Sequence, residues 1–565
     1  MGRNDISGGC FGAAVQAHNL ENLTITSSCA NPPHCPEDPR DWPRAGDWQA
    51  LVAGTHPSRP GTGGGDGDVP PYIARDADER IRRRIVDADR HGGMVLVVGD
   101  STAGKTRAAF EAVRAVLPAY RVCAPSSDND VTGVPLSIER GGSRCVVWLD
   151  DLERYLRPGG LQINVMAALT RLKVPVVATM RLKPFEKASA ARDHGSGAQL
   201  LRAAEVIDLD RLWSDEELSR AERCDDPRIL DALTHHGTYG VAEYLAAGPS
   251  LLQEWRRAGP GNGHARGTAL VRAAVDLTRC GLRGPYPRAV LEDVHQWYLP
   301  AEGSVSRLES VATAFDWASK VRHGVTSLLL PAGTDTWLAF DYLIDHADSR
   351  IPDPVWEAAL AHTDADADRW VIARNAQDVA PHAAEKAWRP LAGAGNPYAA
   401  NDLALLLGEL GRVQEAESLY RQALGKGHLD AANNLAILLE KEGRVDEAEA
   451  LYRSALGSGD PYAALNLGAL LERAERLAEA AALYRRALNN GSKHAAHALA
   501  TLARKMGSLD EAVSLYRVAI DLGDPYAAED LADLLIFLGR SREAEECRAR
   551  RPRAHQPGPG KDARG

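Results

Sequence analysis

Three short apolar runs, each rich in valine, stand in the first half of the chain. They are MVLVVG (Met94 to Gly99), RCVVWLDD (Arg144 to Asp151) and VPVVATMR (Val174 to Arg181), and segments with helical periodicity separate them. Apolar strands that alternate with helices are typical of a parallel sheet with helices on both faces. The pattern therefore predicts an α/β domain over residues 72–209.

The pattern becomes mostly helical over residues 210–350. Within this region VTSLLLPAGTDTWLAF (Val325 to Phe340) has two apolar runs around PAGTDT, which predicts a hairpin. Helices followed by a hairpin would form a winged-helix unit. We therefore expect a helical and winged-helix-like region after the sheet.

From about residue 364 the sequence repeats with a step of 32 residues. Leucines recur at this step, and they are Leu403, Leu435, Leu467, Leu499 and Leu531. Such a period is typical of stacked helix pairs, each of which buries an apolar stripe against its neighbours. In one unit Gly443 would end the first helix and Asp446 would cap the second. The sequence predicts an α-solenoid over residues 351–550, with a degenerate first repeat.

The ends of the chain have a different composition. Residues 1–36 contain β-branched side chains without a helical period, residues 37–71 carry many Pro and Gly, and residues 551–565 have no apolar period. The second segment predicts a flexible linker and the third predicts disorder. Val15 to Ala17 is similar to the cores of amyloid signalling motifs. The alternative for the first segment is a disordered tag or a small docked strand.

Charge and cysteine usage narrow the function classes. The net charge of −11 and the pI of about 5.9 argue against a general binder of nucleic acid or anionic membranes. No apolar run approaches the roughly 18 residues of a membrane span. The eight cysteines are mostly isolated, which is typical of reduced cytosolic thiols. We predict a cytoplasmic protein without membrane contact.

The first apolar run leads into a phosphate-binding pattern, G-x-x-x-x-G-K-[ST]. Its backbone N–H groups and helix start would hold phosphate, Lys105 would reach the β and γ phosphates, and the Thr106 hydroxyl would hold Mg²⁺. The alternative is a strand–turn–helix with accidental glycines. The predicted nucleotide-binding residues of the loop are Gly99, Asp100, Ser101, Thr102, Ala103, Gly104, Lys105, Thr106 and Arg107.

Acidic and basic residues follow the other two apolar runs. Asp150 and Asp151 end the second run, where one carboxylate can bind Mg²⁺ and the other can orient or deprotonate a water molecule. We assign Mg²⁺ to Asp150 and the water to Asp151, with Glu153 as the substitute. Arg181 ends the third run and could touch the γ-phosphate. The alternatives are aspartates that cap a helix and a surface arginine.

The order GDSTAGKT, VVWLDDLE and VVATMR resembles the signal-transduction ATPases with numerous domains, which are relatives of the AAA+ enzymes. The resemblance covers about residues 70–350. It implies bound ADP or ATP with Mg²⁺, and through PPYIARDADE it implies that Ile73 and Arg75 lie near adenine. The loop lacks the extra glycine of that family, and His346 is a weak candidate for its winged-helix histidine.

The 32-residue units resemble tetratricopeptide repeats, with some similarity to the Sel1-like type. In that family the first helices line a groove for a protein or peptide. The matching polar positions here are Asn401, Asp402, Asn433, Asn434, Asn466, His497, Glu529 and Asp530, of which we assign Asn401, Asn433, Asn434, Asn466 and His497 to partner binding. The alternative is a solvated helix face.

Three functions remain open at this stage. The first is a nucleotide-dependent signalling switch, a slow ATPase whose repeats sense a partner and whose ADP or ATP state controls assembly into a homo-oligomer. The second is an interaction scaffold with a structural or inactive core. The third is an ATPase-containing transcription regulator, although no helix-turn-helix with a basic recognition helix is evident.

Overall fold

The computed structural model describes residues 39–55, 69–125, 131–142, 144–156, 161–190, 196–236, 239–258, 263–299, 308–457, 462–489, 492–524 and 526–549. The chain divides into two units between Ala384 and Glu385. The predictions for residues 1–36, with Val15 to Ala17, and for residues 551–565 lie outside the described residues.

A five-stranded sheet forms the centre of the first unit. Its strands are β1 (Gly93–Gly99), β2 (Arg121–Cys123), β3 (Cys145–Leu149), β4 (Pro175–Arg181) and β5 (Glu205–Asp208). The order across the sheet is β2-β3-β4-β1-β5, and every neighbouring pair is parallel. The parallel sheet predicted from the apolar runs is confirmed.

Both faces of this sheet are covered. Successive side chains of a strand point to opposite faces. Leu96 and Val98 therefore pack in one apolar cluster with α4 (Ile163–Arg171) and α6 (Ser196–Ala203), whereas Val95 and Val97 pack in another with α1 (Asp78–His91) and α2 (Lys105–Val116). This two-sided burial explains why the strands are apolar throughout. The helices are α1 (Asp78–His91), α2 (Lys105–Val116), α3 (Val134–Gly141), α4 (Ile163–Arg171), α5 (Leu182–Ala190) and α6 (Ser196–Ala203).

The described part of the predicted linker is not flexible chain. Residues 39–55 pack against the sheet, with Trp48 in contact with Phe110 and Trp148. The indole Nε1 of Trp148 donates to the carbonyl oxygen of Ala53 at 3.2 Å. The prediction of a linker over residues 37–71 is therefore wrong for this stretch, because its tryptophans outweigh its Pro and Gly content.

A mainly helical region follows β5 in the same unit. The predicted hairpin is confirmed as β7 (Leu329–Pro331) and β8 (Thr336–Ala339), and β6 (Tyr286–Pro287) pairs with β8 to complete a small antiparallel sheet. The helices are α7 (Asp215–Ala221), α8 (Pro227–Leu233), α9 (Val241–Leu245), α10 (Gly248–Arg257), α11 (Ala265–Cys280), α12 (Arg288–Val294), α13 (Val311–Ser319), α14 (Asp341–Asp345), α15 (Asp353–Ala361) and α16 (Asp366–Ala376).

The first unit extends beyond the boundary predicted at residue 350. Arg283 forms an ion pair of 2.6 Å with Asp368 in α16, and the Asn375 amide donates to the carbonyl oxygen of Arg279 at 3.4 Å. These contacts attach α16 to the region before it. Residues 351–384 therefore belong to the first unit rather than to a first repeat.

In the described residues, the second unit consists of one leading helix followed by helix pairs at the predicted step. The solenoid-like repeat is confirmed, and the buried residues of each pair are the Leu, Ala and Tyr side chains of the repeating pattern. The helices are α17 (Pro381–Gly393), within which the division between the units falls, α18 (Pro397–Glu409), α19 (Val413–Gly425), α20 (Asp430–Lys441), α21 (Val445–Gly457), α22 (Ala463–Arg473), α23 (Leu477–Asn489), α24 (Lys493–Lys505), α25 (Leu509–Asp521), α26 (Ala527–Phe537) and α27 (Ser541–Ala549).

The length and the apolar character of a helix decide whether it can cross a membrane. None of the described helices combines the length and the apolar character needed to cross a bilayer.

Candidate functional site

Residues 99–106 turn sharply between β1 and α2. Gly104 and Thr102 have φ angles of 95° and 61°, in the left-handed region that glycine adopts without strain. The Nζ of Lys105 donates to the carbonyl oxygen of Asp100 at 2.8 Å, and Lys105 is only 6% exposed. The first N–H groups of a helix lack partners inside the helix, and those of α2 border this turn. The loop thus combines a cation with backbone donors, which suits an anion.

Gly99 has a packing role as well. A Cβ at this position would lie 2.4 Å from the carbonyl oxygen of Leu209, and the Leu209 N–H donates to Val98 at 2.8 Å. The close approach of the chain after β5 therefore requires a glycine whatever the loop binds. For this position the alternative of a purely structural glycine stays open.

The other loop residues predicted to bind nucleotide differ in exposure. Ser101 and Ala103 are buried, whereas Thr102 and Arg107 are half-buried. The Thr102 hydroxyl donates to the carbonyl oxygen of Ser101 at 2.6 Å, and Arg107 forms an ion pair of 2.8 Å with Glu111. Of these four residues, Arg107 is the one whose charge is already paired within α2.

Asp150 meets the start of α2 at the carboxyl edge of the sheet. One of its carboxylate oxygens, Oδ1, accepts hydrogen bonds from Thr106 at 2.9 Å and from Thr179 at 2.6 Å. Burial and the neighbouring Asp151 charge raise the pKa of Asp150 to about 7, although the two hydroxyl donors lower it. Gly54 lies against the same carboxylate, since a Cβ there would be 2.2 Å from its Oδ2. Neither Thr179 nor Gly54 stands in a sequence motif that would mark it as part of this site.

The two carboxylates predicted to act on water are both ion-paired. Asp151, whose φ is 54°, lies 3.0 Å from Arg154, and Glu153 lies 2.7 Å from Arg181. Burial and the charge of Asp151 raise the pKa of Glu153, and Arg181 opposes this shift. Their assignment to water activation stays a prediction, since either group would first have to leave its present partner.

Arg181 connects the sheet to α14. Its Nη1 lies 2.8 Å from Oδ1 of Asp345, and Lys183 donates to the backbone carbonyl of the same residue. Burial raises the pKa of Asp345, while Arg181 and Lys105 favour its ionised form. The neighbouring His346 stacks on Tyr342 with 3.9 Å between ring centroids. Asp345 was missed from the sequence, although it stands beside His346 in FDYLIDHAD.

Arg75 lies beside the phosphate-type loop. Its guanidinium group donates to the carbonyl oxygens of Ala103 at 3.0 Å and Asp210 at 2.8 Å, and its Nε pairs with Glu217 at 2.9 Å. Glu217 lies 142 residues along the chain, so no local pattern could reveal it. Ile73 is half-buried. The structure brings Arg75 to the loop, and adenine contact by Arg75 and Ile73 stays a prediction.

The asparagines predicted to bind a partner bond to one another between repeats. The Asn434 amide donates to the side-chain oxygen of Asn401 at 3.0 Å, and the Asn466 amide donates to that of Asn433 at 2.9 Å. Each pair is separated by 33 residues. Asn401 is 3% exposed and Asn433 is also buried. We call these contacts the amide ladder, and they give the asparagines a structural role that the sequence analysis did not foresee.

The His497 imidazole extends this set of contacts with two carboxylate partners. Its Nε2 lies 2.7 Å from Asp530, the residue 33 positions later, and its Nδ1 lies 3.1 Å from Asp524. Asp524 caps α26 by accepting from the backbone N–H groups of Tyr526 and Ala527. Although burial opposes it, the hydrogen bond from His497 lowers the pKa of Asp524. His497 therefore holds the last repeats together.

An arginine at the start of three second helices, α19, α21 and α23, also joins successive repeats. Arg444 donates to Glu417 of the preceding repeat at 2.8 Å and to Glu447 of its own at 2.7 Å. Equivalent contacts join Arg412 to Glu385 and Glu415, and Arg476 to Glu449 and Glu479. We call this set the arginine ladder.

Comparison with known proteins bears on the second unit. Residues 401–463 match the family model described as tetratricopeptide repeat. The second unit therefore contains tetratricopeptide repeats, which confirms this part of the resemblance. No curated protein matches the chain.

Solved structures similar to part of the chain include the following three proteins. MamA of strain AMB-1 is 21% identical over 27% of this chain and 88% of its own, with a TM-score of 0.23. PilF of Pseudomonas aeruginosa is 19% identical over 31% and 78%, with a TM-score of 0.25. A tetratricopeptide repeat protein from Parabacteroides merdae is 20% identical over 32% and 77%, with a TM-score of 0.27. The resemblance of residues 70–350 to signal-transduction ATPases stays a prediction.

Proposed function

We propose that the chain is a protein-interaction scaffold whose tetratricopeptide repeats bind a protein or peptide partner. The observation that carries this proposal is the match of residues 401–463 to the repeat family, within a unit of stacked helix pairs. Such solenoids offer extended binding surfaces. The identity of the partner has to be found by experiment.

Tyrosines at the starts of first helices are the best candidates for partner contact. Tyr398, Tyr462 and Tyr526 occupy the same position in alternate repeats and are 59%, 41% and 69% exposed. Tyrosine is enriched at protein interfaces because its ring supplies contact area and its hydroxyl supplies a hydrogen bond. In this proposal the amide ladder holds the first helices in place, and the tyrosines contact the partner.

Site-specific crosslinking tests the scaffold function. A photoreactive phenylalanine at position 462 should capture one defined protein, whose purified form should then bind the full chain. Replacing Tyr398, Tyr462 and Tyr526 with Ala should weaken that binding at least about tenfold, whereas replacing the exposed Val518 of α25 and its C-cap residue Leu522 with Ala should not. Equal loss in both sets, or no captured protein, would contradict the proposal.

A second candidate adds nucleotide control, and one observation favours it. Lys105, Thr106 and Asp150 meet at the carboxyl edge of a parallel sheet, where ligands of such sheets bind. Thr106 and Asp150 supply oxygen atoms suited to Mg²⁺, which takes few protein ligands and completes its shell with water and phosphate. The loop N–H groups and Lys105 would hold the phosphates. ADP or ATP would then control assembly into a homo-oligomer, with slow hydrolysis involving Asp151, Glu153 and Arg181.

Calorimetry on the full chain tests nucleotide binding. ADP and a non-hydrolysable ATP analogue should each bind in the presence of Mg²⁺, and Lys105→Ala should remove binding. Arg171→Ala is the matched control, because Arg171 is an exposed cation that ends α4 before the amino end of β4. If the wild-type chain binds neither nucleotide, the scaffold function stands alone. If its mass is the same with both, nucleotide does not control assembly.

Transcription regulation has the least support. The helix before the hairpin, α13, carries Asp316 and no lysine or arginine. A recognition helix in a DNA groove needs basic residues at the phosphates. We therefore do not extend the proposal to DNA.

A further inference from the structure

The charged groups at the edge of the loop form one continuous cluster. Arg181 is the register partner of Gly99 across β1 and β4, so its side chain leaves the sheet where the loop begins. One side of its guanidinium group pairs with Glu153 and the other with Asp345. Burial opposes the charged form of Arg181, but the two carboxylates stabilise that form and raise the pKa of the guanidinium group. Arg181 therefore has one carboxylate partner at Nε and another at Nη1.

Asp345 reaches this cluster because α14 is anchored to α9. The Tyr342 hydroxyl donates to Oε1 of Glu243 at 2.6 Å, and the other oxygen of Glu243 pairs with Arg211 at 2.9 Å. The ring of Tyr342 also lies against Gly248, where a Cβ would be 2.6 Å from a ring carbon. These contacts fix the helix whose last residue is Asp345. The carboxylate is thus held at the loop edge by packing as well as by charge.

We propose that Asp345 is a specificity-determining residue that makes the site prefer a nucleoside diphosphate to a triphosphate. The inference rests on the proposed nucleotide binding at Lys105 and Thr106. A γ-phosphate lies at the Lys105 end of such a loop and needs the nearest cations. Asp345 already forms an ion pair with Arg181, and its charge also interacts with the charge of Lys105. It therefore competes with the γ-phosphate for both cations. A diphosphate leaves the Arg181–Asp345 pair undisturbed.

The preference also links the nucleotide to α14. A triphosphate can engage Arg181 only after the carboxylate of Asp345 withdraws, because two anions repel each other at short range. Withdrawal of Asp345 would free the end of α14 from the sheet edge, while the hydrogen bond from Tyr342 of α14 to Glu243 would remain. A ligand shifts a conformational equilibrium only by its differential affinity for the two states. Removing the carboxylate should therefore raise triphosphate affinity selectively.

The test measures both nucleotides by calorimetry on the full chain at one Mg²⁺ concentration. Asp345→Asn should lower the Kd of a non-hydrolysable ATP analogue at least about tenfold and change the Kd of ADP less than about twofold. Asp348→Asn, an exposed carboxylate three residues later, is the matched control and should leave both Kd values unchanged. An unchanged ratio of the two Kd values in Asp345→Asn would overturn the inference.

A double-mutant cycle separates this role from a general structural one. In an Arg181→Gln background, Asp345→Asn should change the ratio of the two Kd values much less than in the wild-type background, because the shared arginine is gone and only Lys105 remains. Equal tightening of both nucleotides would also overturn the inference. If Asp345→Asn does not fold, Asp345→Ser removes the same charge and must give the same ratio. A wild-type chain that binds neither nucleotide would refute the nucleotide proposal itself, and this inference with it.

Discussion

The two units of the chain build their polar contacts over very different sequence distances. In the second unit the amide ladder joins residues 33 apart and the arginine ladder joins residues 3 and 27 apart. In the first unit Arg75 meets Glu217 across 142 residues, and Arg181 meets Asp345 across 164. A repeated contact is visible in a repeated pattern. A contact made once, between distant elements, leaves no such trace.

The two residues of each rung of the amide ladder differ together from one repeat to the next. Asn401 and Asn434 form one rung, and His497 and Asp530 form another. Of the two rungs between them, one is Asn433 with Asn466, and the other holds Leu465 and Ala498, so both of its members are apolar. A lone asparagine there would leave a half-buried amide without its partner, which is costly. Each rung is therefore chemically matched, which the first unit achieves only through distant partners.

The largest expected effect concerns the segment that the sequence analysis assigned to a linker. Trp48 is 5% exposed and packs against Phe110 and Trp148 with ring centroids 5.8 and 5.1 Å away. Trp48→Ala should destabilise the first unit by about 3–5 kcal/mol, the usual cost of deleting a buried aromatic ring. Hydrogen exchange of the full chain should show faster exchange in β1 and β4, with the repeats unchanged.

Trp297→Ala is the control for that measurement, because Trp297 is 57% exposed. It should leave exchange in the sheet within error of the wild type. Equal exchange in Trp48→Ala and the wild type would mean that residues 39–55 are a linker, as the Pro and Gly content suggested.

Regular periodicity explains which parts of the fold the sequence predicts. The three valine-rich runs became β1, β3 and β4, and the 32-residue step became the helix pairs. The short strands β2 and β5 have no comparable apolar run, and they form because the sheet supplies neighbours for them. Residues 39–55 were missed for the same reason, since their order comes from tertiary contact rather than local pattern.

The second-largest expected effect concerns Gly468, for which the repeat pattern and the packing predict opposite changes in stability. Gly468 stands where the other repeats carry buried alanines, such as Ala436 and Ala500. The repeat alone predicts that Gly468→Ala stabilises the helix by about 1 kcal/mol. The structure predicts the reverse, since a Cβ at Gly468 would lie 2.6 Å from the ring of Tyr484. We expect a loss of about 1–3 kcal/mol, measured by hydrogen exchange in α22 and α23.

Gly425→Ala serves as the control for Gly468. Gly425 ends α19 with open space around its Cβ position. It should be neutral or slightly stabilising. A gain in Gly468→Ala similar to the intrinsic helix preference would show that Tyr484 moves aside freely.

The third expected effect separates a structural asparagine from a binding one. Asn434→Ala removes the donor to the buried side-chain oxygen of Asn401, which should cost about 1–2 kcal/mol in the free protein. Lys441→Ala, an exposed change in the same helix α20, should cost much less. If Asn434→Ala left stability unchanged and weakened a partner identified by crosslinking, the original assignment to partner binding would be the better one.

The candidate site was predictable only as far as its local motifs. Gly99 to Thr106 and Asp150 stand in recognisable patterns at strand ends, and parallel strands bring their carboxyl ends to one edge. The sequence could not show that Asp345 would pair with Arg181. It also could not show that Asp151 and Glu153 would be ion-paired, because those partners come from the three-dimensional arrangement.

The smallest expected effect is the repair of the arginine ladder. Arginine recurs at the 32-residue step except at Ser508, and the glutamate that would pair with it is replaced by Ala481. Because both members are missing together, the double variant Ala481→Glu with Ser508→Arg should restore the contacts seen at Arg444 with Glu417 and Glu447, with Glu511 as the third member. Exposed ion pairs stabilise weakly, so the Tm of the repeats should rise by only about 1–2 °C at low salt.

Each single variant should give less than half of this rise, and the difference should shrink in about 1 M salt, where screening is strong. Additive single effects that ignore salt would show that the ladder is a set of independent surface pairs, and that register along the solenoid depends on the amide ladder and the apolar stripe alone.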